Sequence, residues 1–153
     1  MSGHRLVRRG LIVASMVGTI ACSGGGGSST PALPAPLGAA EPLLSALTSA
    51  VPGLSQAQAI LGAGGLLGLA KAKMPADQFA QVNSAIPGSE ALIGEATKAG
   101  LPSIIPGLSS LNSFFSQSDI SPAQVNQMVP VIGNAIRSKG GAPPADAFLA
   151  AMK

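Results

Sequence analysis

The sequence predicts an all-α fold, a compact bundle of about six or seven short helices. Three features carry that expectation. Apolar residues recur three and four positions apart through most of the chain after residue 40. Proline and glycine interrupt these stretches at about one helix length, at Val51-Pro52-Gly53, Ile86-Pro87-Gly88 and Gly140-Gly141. Two segments also open with the same start signal, Ser55-Gln56-Ala57-Gln58 and Ser121-Pro122-Ala123-Gln124, in which a serine can cap the helix and a glutamine three residues on can reach back to it.

A first short helix is expected over 41–50, where Leu43, Leu44 and Leu47 stand at helical spacing and Pro42 falls in the first turn, where proline is tolerated. The next, over 55–73, is the longest stretch without proline and is apolar nearly all the way round, as a central helix covered by at least two neighbours would be. Gly62, Gly64, Gly65 and Gly68 each cost about 1 kcal/mol of helix propensity relative to alanine. The Gly64-x-x-x-Gly68 spacing puts two bare patches on one face, which predicts close packing against another helix as the compensation. The rival reading, a dinucleotide-binding loop, fails because Leu67 stands where the last glycine of GxGxxG belongs.

Pro75 and Asp77 mark the start of a helix whose inward stripe is Phe79, Val82 and Ile86. Ser89 is placed to cap the following helix, which runs to about Lys98 and allows a Glu95–Lys98 pair. Glu90 and Glu95 stand about 140° apart around that helix, too far to work as an acid/base pair. Residues 101–116 carry Ile104, Leu108, Leu111 and Phe115 in near-heptad spacing, with Ile105 and Phe114 beside them; Pro102 and Pro106 restrict the main helix to a start near 106. From Ser121 onward Val125, Met128, Val129, Ile132 and Ile136 make one face, within which Pro130 is expected to kink or divide the helix. Gly140-Gly141 offers its C-cap, and a last helix begins at Pro143-Pro144 with Phe148, Leu149 and Met152 as anchors. The echo between 55–79 and 121–148 predicts two related helical hairpins.

Residues 1–21 read as a signal peptide: His4, Arg5, Arg8 and Arg9 form a basic start, and Leu11 to Ile20 an apolar core too short for an ordinary membrane span. The sequence Thr19-Ile20-Ala21-Cys22 resembles the bacterial lipobox, although Thr19 replaces the usual leucine. The resemblance implies cleavage before Cys22 and acylation of that residue, hence anchoring to membrane lipids and, with Ser23 rather than aspartate next, an outer-membrane position facing the periplasm in a Gram-negative cell. Cys22 is the sole cysteine, so no disulfide can form within the chain; an incidental cysteine and an intermolecular bond are the alternatives. Residues 22–40, rich in Gly, Ser and then Pro, read as a tether, and 41–153 as the helical domain.

The net charge of +3 comes from Arg5, Arg8 and Arg9; beyond them six Lys/Arg face six Asp/Glu. With no tyrosine or tryptophan and no basic cluster, a nucleic-acid partner is not expected. His4 is the only histidine, so the usual zinc, thiol and serine–histidine sites lack their residues beyond the leader; no cofactor, metal or catalytic residue is expected.

The block LLSALTSAVPGLSQAQAILGAGGLLGLAKAKMPADQFAQVNSAIPG, the segment GLSSLNSFF and the region ISPAQVNQMVPVIGNAIRSKGG together resemble the VcgC/VcgE-like family of uncharacterised bacterial proteins over 41–153. That resemblance implies a small, exported, helical protein and brings no activity or site residue. The functional expectation is therefore a cell-envelope lipoprotein with a structural or protein-interaction role. The alternative is a module that binds a lipid or other apolar ligand between its helices, where the glycines of 62–68 leave room.

Overall fold

Helices α1 (Ala35–Gly38), α2 (Glu41–Ala50), α3 (Gln56–Lys73), α4 (Ala76–Ala85), α5 (Ser89–Lys98), α6 (Leu108–Gln117), α7 (Pro122–Gly140) and α8 (Ala142–Ala151) follow one another in a computed structural model that describes residues 35–102 and 104–153. There is no strand among the described residues. Seven helices of ten residues or more and a single preceding turn make up the all-α bundle.

Both start signals form complete capping boxes. Ser55 Oγ accepts from the Gln58 N–H at 3.2 Å while the Gln58 side chain accepts from the Ser55 N–H at 2.9 Å; Ser121 and Gln124 repeat the arrangement at 3.3 and 2.9 Å. Each box satisfies two donors that a bare helix end would leave to water. Gln58 does more, because its Nε2 also donates to the Asp119 carbonyl at 2.9 Å and so ties the start of α3 to the connection between α6 and α7. Asp119 adopts a left-handed φ of 54°, and the N–H groups of Ile120 and Asp119 return to the carbonyls of Phe115 and Ser116, the pattern of a Schellman stop.

Helix α3 is the axis of the molecule. Ala63, Leu66, Leu67, Leu69 and Ala70 have no exposed surface although they point in different directions, and α5, α2, α6, α7 and α8 share in covering them. Its principal neighbour is α5, which passes it at backbone distance. Helices α7 and α8 pack as a direct hairpin, and α4 lies against both. Leu44 and Leu47 of α2, Met128 and Ile132 of α7 and Phe148 of α8 complete the core, all fully buried. Transfer of such side chains from water contributes about 1.5–3 kcal/mol each, which makes this face-to-face burial, rather than the few ion pairs, the source of stability.

Several boundaries differ from the sequence reading. The fold starts before Glu41: Leu37 and Ala40, expected in the tether, are 3% and 1% exposed, because α1 turns back and packs against α5. Ser89 is not a cap. Gly88, at φ 86°, occupies that position, and Ser89 sits fully buried inside α5 with its hydroxyl donating to Asn83 Oδ1. Ile104 is 82% exposed while Ile105 is 6% exposed, since Pro102 and Pro106 keep the segment out of a helix and the heptad phase does not reach back to it. Helix α7 runs without division through Pro130, whose ring is on the exposed side, where solvent can hydrogen-bond the freed Asn126 carbonyl.

Candidate functional site

Of the residues singled out from sequence, Cys22 and the leader lie outside the described residues. Gly64 and Gly68 are both in α3 and both buried, but they meet different surroundings. A methyl group on Gly64 would run into the Leu92 carbonyl of α5 and lie 2.8 Å from Ala96 Cβ. One on Gly68 would meet only side-chain ends, Leu101 Cδ2 at 3.1 Å and Ile105 Cδ1 at 3.3 Å. Leu101 is brought there by the end of α5, where Gly100 at φ 106° lets the Leu101 N–H return to the Ala96 carbonyl at 2.9 Å. Gly62 is closed by Met128 and Gly65 by Phe115. The space expected beside these glycines is therefore filled by neighbouring helices.

The open volume lies elsewhere. A groove of about 440 Å³ runs between α2 and α7 and is closed at one end by the corner between α4 and α5. Its floor is Leu43 and Ile86, both buried; its walls are small residues, Ala46 and Ala50 on α2 and Val131 and Ala135 on α7. The groove stays open because these side chains are too short to fill it, while the larger Leu44, Leu47, Ile132 and Ile136 on the inward faces of the same helices set their separation beneath. That volume falls within the ~300–1,000 Å³ typical of small-molecule sites.

Polar groups are confined to one rim. Asn134, Ser138 and Lys139 project along the exposed side of α7. Ser138 turns its hydroxyl back onto its own helix, donating to the Asn134 carbonyl at 2.8 Å, so it presents lone pairs rather than a proton to the groove. Lys139 is different. The ion pairs among the described residues join Lys71 to Glu90, Lys98 to Glu95 and Arg137 to Asp146, which leaves the Lys139 ammonium without a carboxylate within 4.0 Å. Next to it a second, more polar hollow of about 330 Å³ opens between α4 and the end of α7, lined by Ala80, Gln81, Ser84 and Gly140 and sharing Ala85 and Lys139 with the groove.

The charged residues of those three pairs have structural roles, while Lys73 and Lys153, like Lys139, and Glu41, Asp77 and Asp119 take part in none of them. Lys71 contacts both Glu90 carboxylate oxygens, at 3.0 and 2.9 Å, linking α3 to α5, and stands 5.7 Å from the Phe79 ring centre. Glu95 and Lys98 form the expected i,i+3 pair at 2.7 Å. No group of three or more His, Cys, Asp or Glu side chains that could hold a metal occurs among the described residues, and no described helix is long and apolar enough to cross a membrane.

A family model described as "Protein of unknown function VcgC/VcgE (DUF2780)" matches residues 21–153. The chain belongs to this VcgC/VcgE family. The match takes in α1 and the segment ahead of it, more than the 41–153 over which the sequence resemblance was read. No curated protein and no solved structure matches the chain. Within a VcgC/VcgE member of this kind the groove was the feature that sequence reading missed. A signal for it does exist: Ala46 and Ala50, four apart, make a small apolar stripe on the side of α2 that the leucines do not occupy, and an exposed face of alanines can be covered without desolvating a charge.

Proposed function

We propose that this chain is an exported lipoprotein, acylated at Cys22, whose helical domain holds an apolar ligand in the groove between α2 and α7 and performs no catalysis. In a Gram-negative host it sits on the outer membrane facing the periplasm. The observation that carries the ligand reading over a purely structural one is the groove itself: an apolar floor and walls, small-molecule volume, and polar groups on a single rim. The family segment supports the anchor reading, because it begins at residue 21, directly ahead of Cys22, and leaves the basic and apolar leader outside.

Mass spectrometry of the full chain isolated from its host's membrane fraction tests both halves. Acyl mass on the peptide that begins at Cys22, together with a small apolar molecule released on denaturation, is the expected result. A soluble, unmodified chain would sink the anchor; a lipid-modified chain that releases nothing would sink the ligand. Contact with an envelope protein is the second reading, and the observation in its favour is Ile104, 82% exposed in the connection between α5 and α6. Ile104→Ser would lower recovery of such a partner in cross-linking while leaving the unfolding midpoint unchanged.

A further inference from the structure

We infer that the ligand is a single-chain phospholipid, a monoacyl glycerophosphate lipid, with its acyl chain in the α2–α7 groove and its anionic head in the adjoining hollow against Lys139. The inference rests on the ligand-binding reading above and adds the ligand's class and orientation. Three observations point to it. First, at the ~30 Å³ that one water-sized group occupies in a liquid, a groove of 440 Å³ takes about fifteen such groups, and a methylene is of that size. That is one acyl chain; a two-chain phospholipid would leave half its apolar surface in water. Second, the apolar groove does not end in a wall but meets a polar hollow of about 330 Å³, so the site is amphiphilic along its length, as the ligand would be. A fatty acid needs no such second volume, because its carboxylate is small. Third, of the two residues that the hollows share, Ala85 and Lys139, the polar one is a cation with no carboxylate partner, and no Asp or Glu lines either hollow. A phosphate there gains an ammonium, with the Gln81 amide across the hollow on α4 as a second donor.

The test uses the purified full chain and myristoyl lysophosphatidylglycerol below its micelle concentration, with binding followed by calorimetry. One saturating site is expected. Ala46→Phe, at an exposed position on the α2 wall, fills the groove without touching the core and should weaken binding at least fiftyfold, the equivalent of about three lost methylene contacts. Lys139→Gln should weaken it about fivefold, the upper end for an exposed ion pair, and remove most of the salt dependence. Myristate and myristyl alcohol, which carry the same chain length with a small head, should bind more weakly than the lysophospholipid. Ala135→Phe on the facing wall provides a second filled groove should the first variant fold poorly.

Binding of the lysophospholipid that both filled-groove variants leave unchanged would overturn the assignment of the site. Equal binding of the alcohol and the lysophospholipid, blocked by Ala46→Phe, would overturn the headgroup assignment and leave the broader apolar-ligand reading standing. Failure of every probe, the alcohol included, would overturn both. Self-association of the chain that Ala46→Phe abolishes would identify a second copy as the occupant and overturn the lipid.

Discussion

Replacing Gly64 by alanine sets two effects of known size against each other. In a helix interior the change should stabilise by about 1 kcal/mol, since alanine restricts the unfolded chain and glycine does not. At Gly64, however, the new methyl would lie 2.8 Å from Ala96 Cβ and the same distance from the Leu92 carbonyl carbon, where carbon atoms pack at about 3.5–4.0 Å. Relief requires α3 and α5 to separate along their closest approach, because the obstacle is backbone and cannot rotate away. Overpacking of that kind costs about 1–3 kcal/mol, and a rigid neighbour puts Gly64 at or beyond the upper end. The net expectation for Gly64→Ala is a loss of about 2 kcal/mol, or about 8 °C in Tm for a domain of this size.

Two other glycines calibrate the experiment. Gly68→Ala meets the tips of Leu101 and Ile105, which can turn, so the two terms should cancel to within about 0.5 kcal/mol. Gly94, in the middle of α5, has no heavy atom within 4 Å of the added methyl, and Gly94→Ala should stabilise by about 0.5–1 kcal/mol. Urea unfolding followed by far-ultraviolet circular dichroism measures all three, a suitable probe in a chain with neither tryptophan nor tyrosine. If Gly64→Ala ranks with Gly94→Ala, the two helix backbones do not touch and the packing argument is wrong.

Ser55→Ala and Ser121→Ala should each lower stability by about 1 kcal/mol in the same assay, and a midpoint unchanged in both would remove the capping boxes from the account. Asp119→Gly should raise stability by about 0.5–1 kcal/mol, because the left-handed backbone is retained without the steric cost of a side chain; a fall would mean that the carboxylate makes a contact of its own. Cys22→Ser should move the full chain from the membrane to the soluble fraction and abolish radiolabelled palmitate incorporation, whereas continued labelling would place the acyl group elsewhere.

What could be read from the sequence was set by distance along the chain. The capping boxes were legible because all their atoms come from four consecutive residues, and the glycine breaks at Gly53, Gly88 and Gly141 each coincide with a positive φ. The spacing of Gly64 and Gly68 shows that they share a face, but not that one meets the backbone of α5 and the other the side chains that follow it. Ile104 and Ile105 were read by helical phase across two prolines that cancel the phase. Ser89 is a good cap by type, and Gly88 preceded it because only glycine enters the left-handed turn there without strain. The groove required knowing that α2 lies beside α7, a pairing between opposite ends of the fold that no local pattern announces.

The early start of the fold at Leu37 has a mechanical consequence. The chain that leads from Cys22 enters the bundle through α1, where Leu37 is held against α5, and continues at once into Ala39 and Ala40, which form one end of the groove. On the proposed reading of Cys22 as an anchor, a pull on the chain ahead of α1 would bear first on Leu37 and Ala40, and through them on α5 and on one end of the groove at the same time.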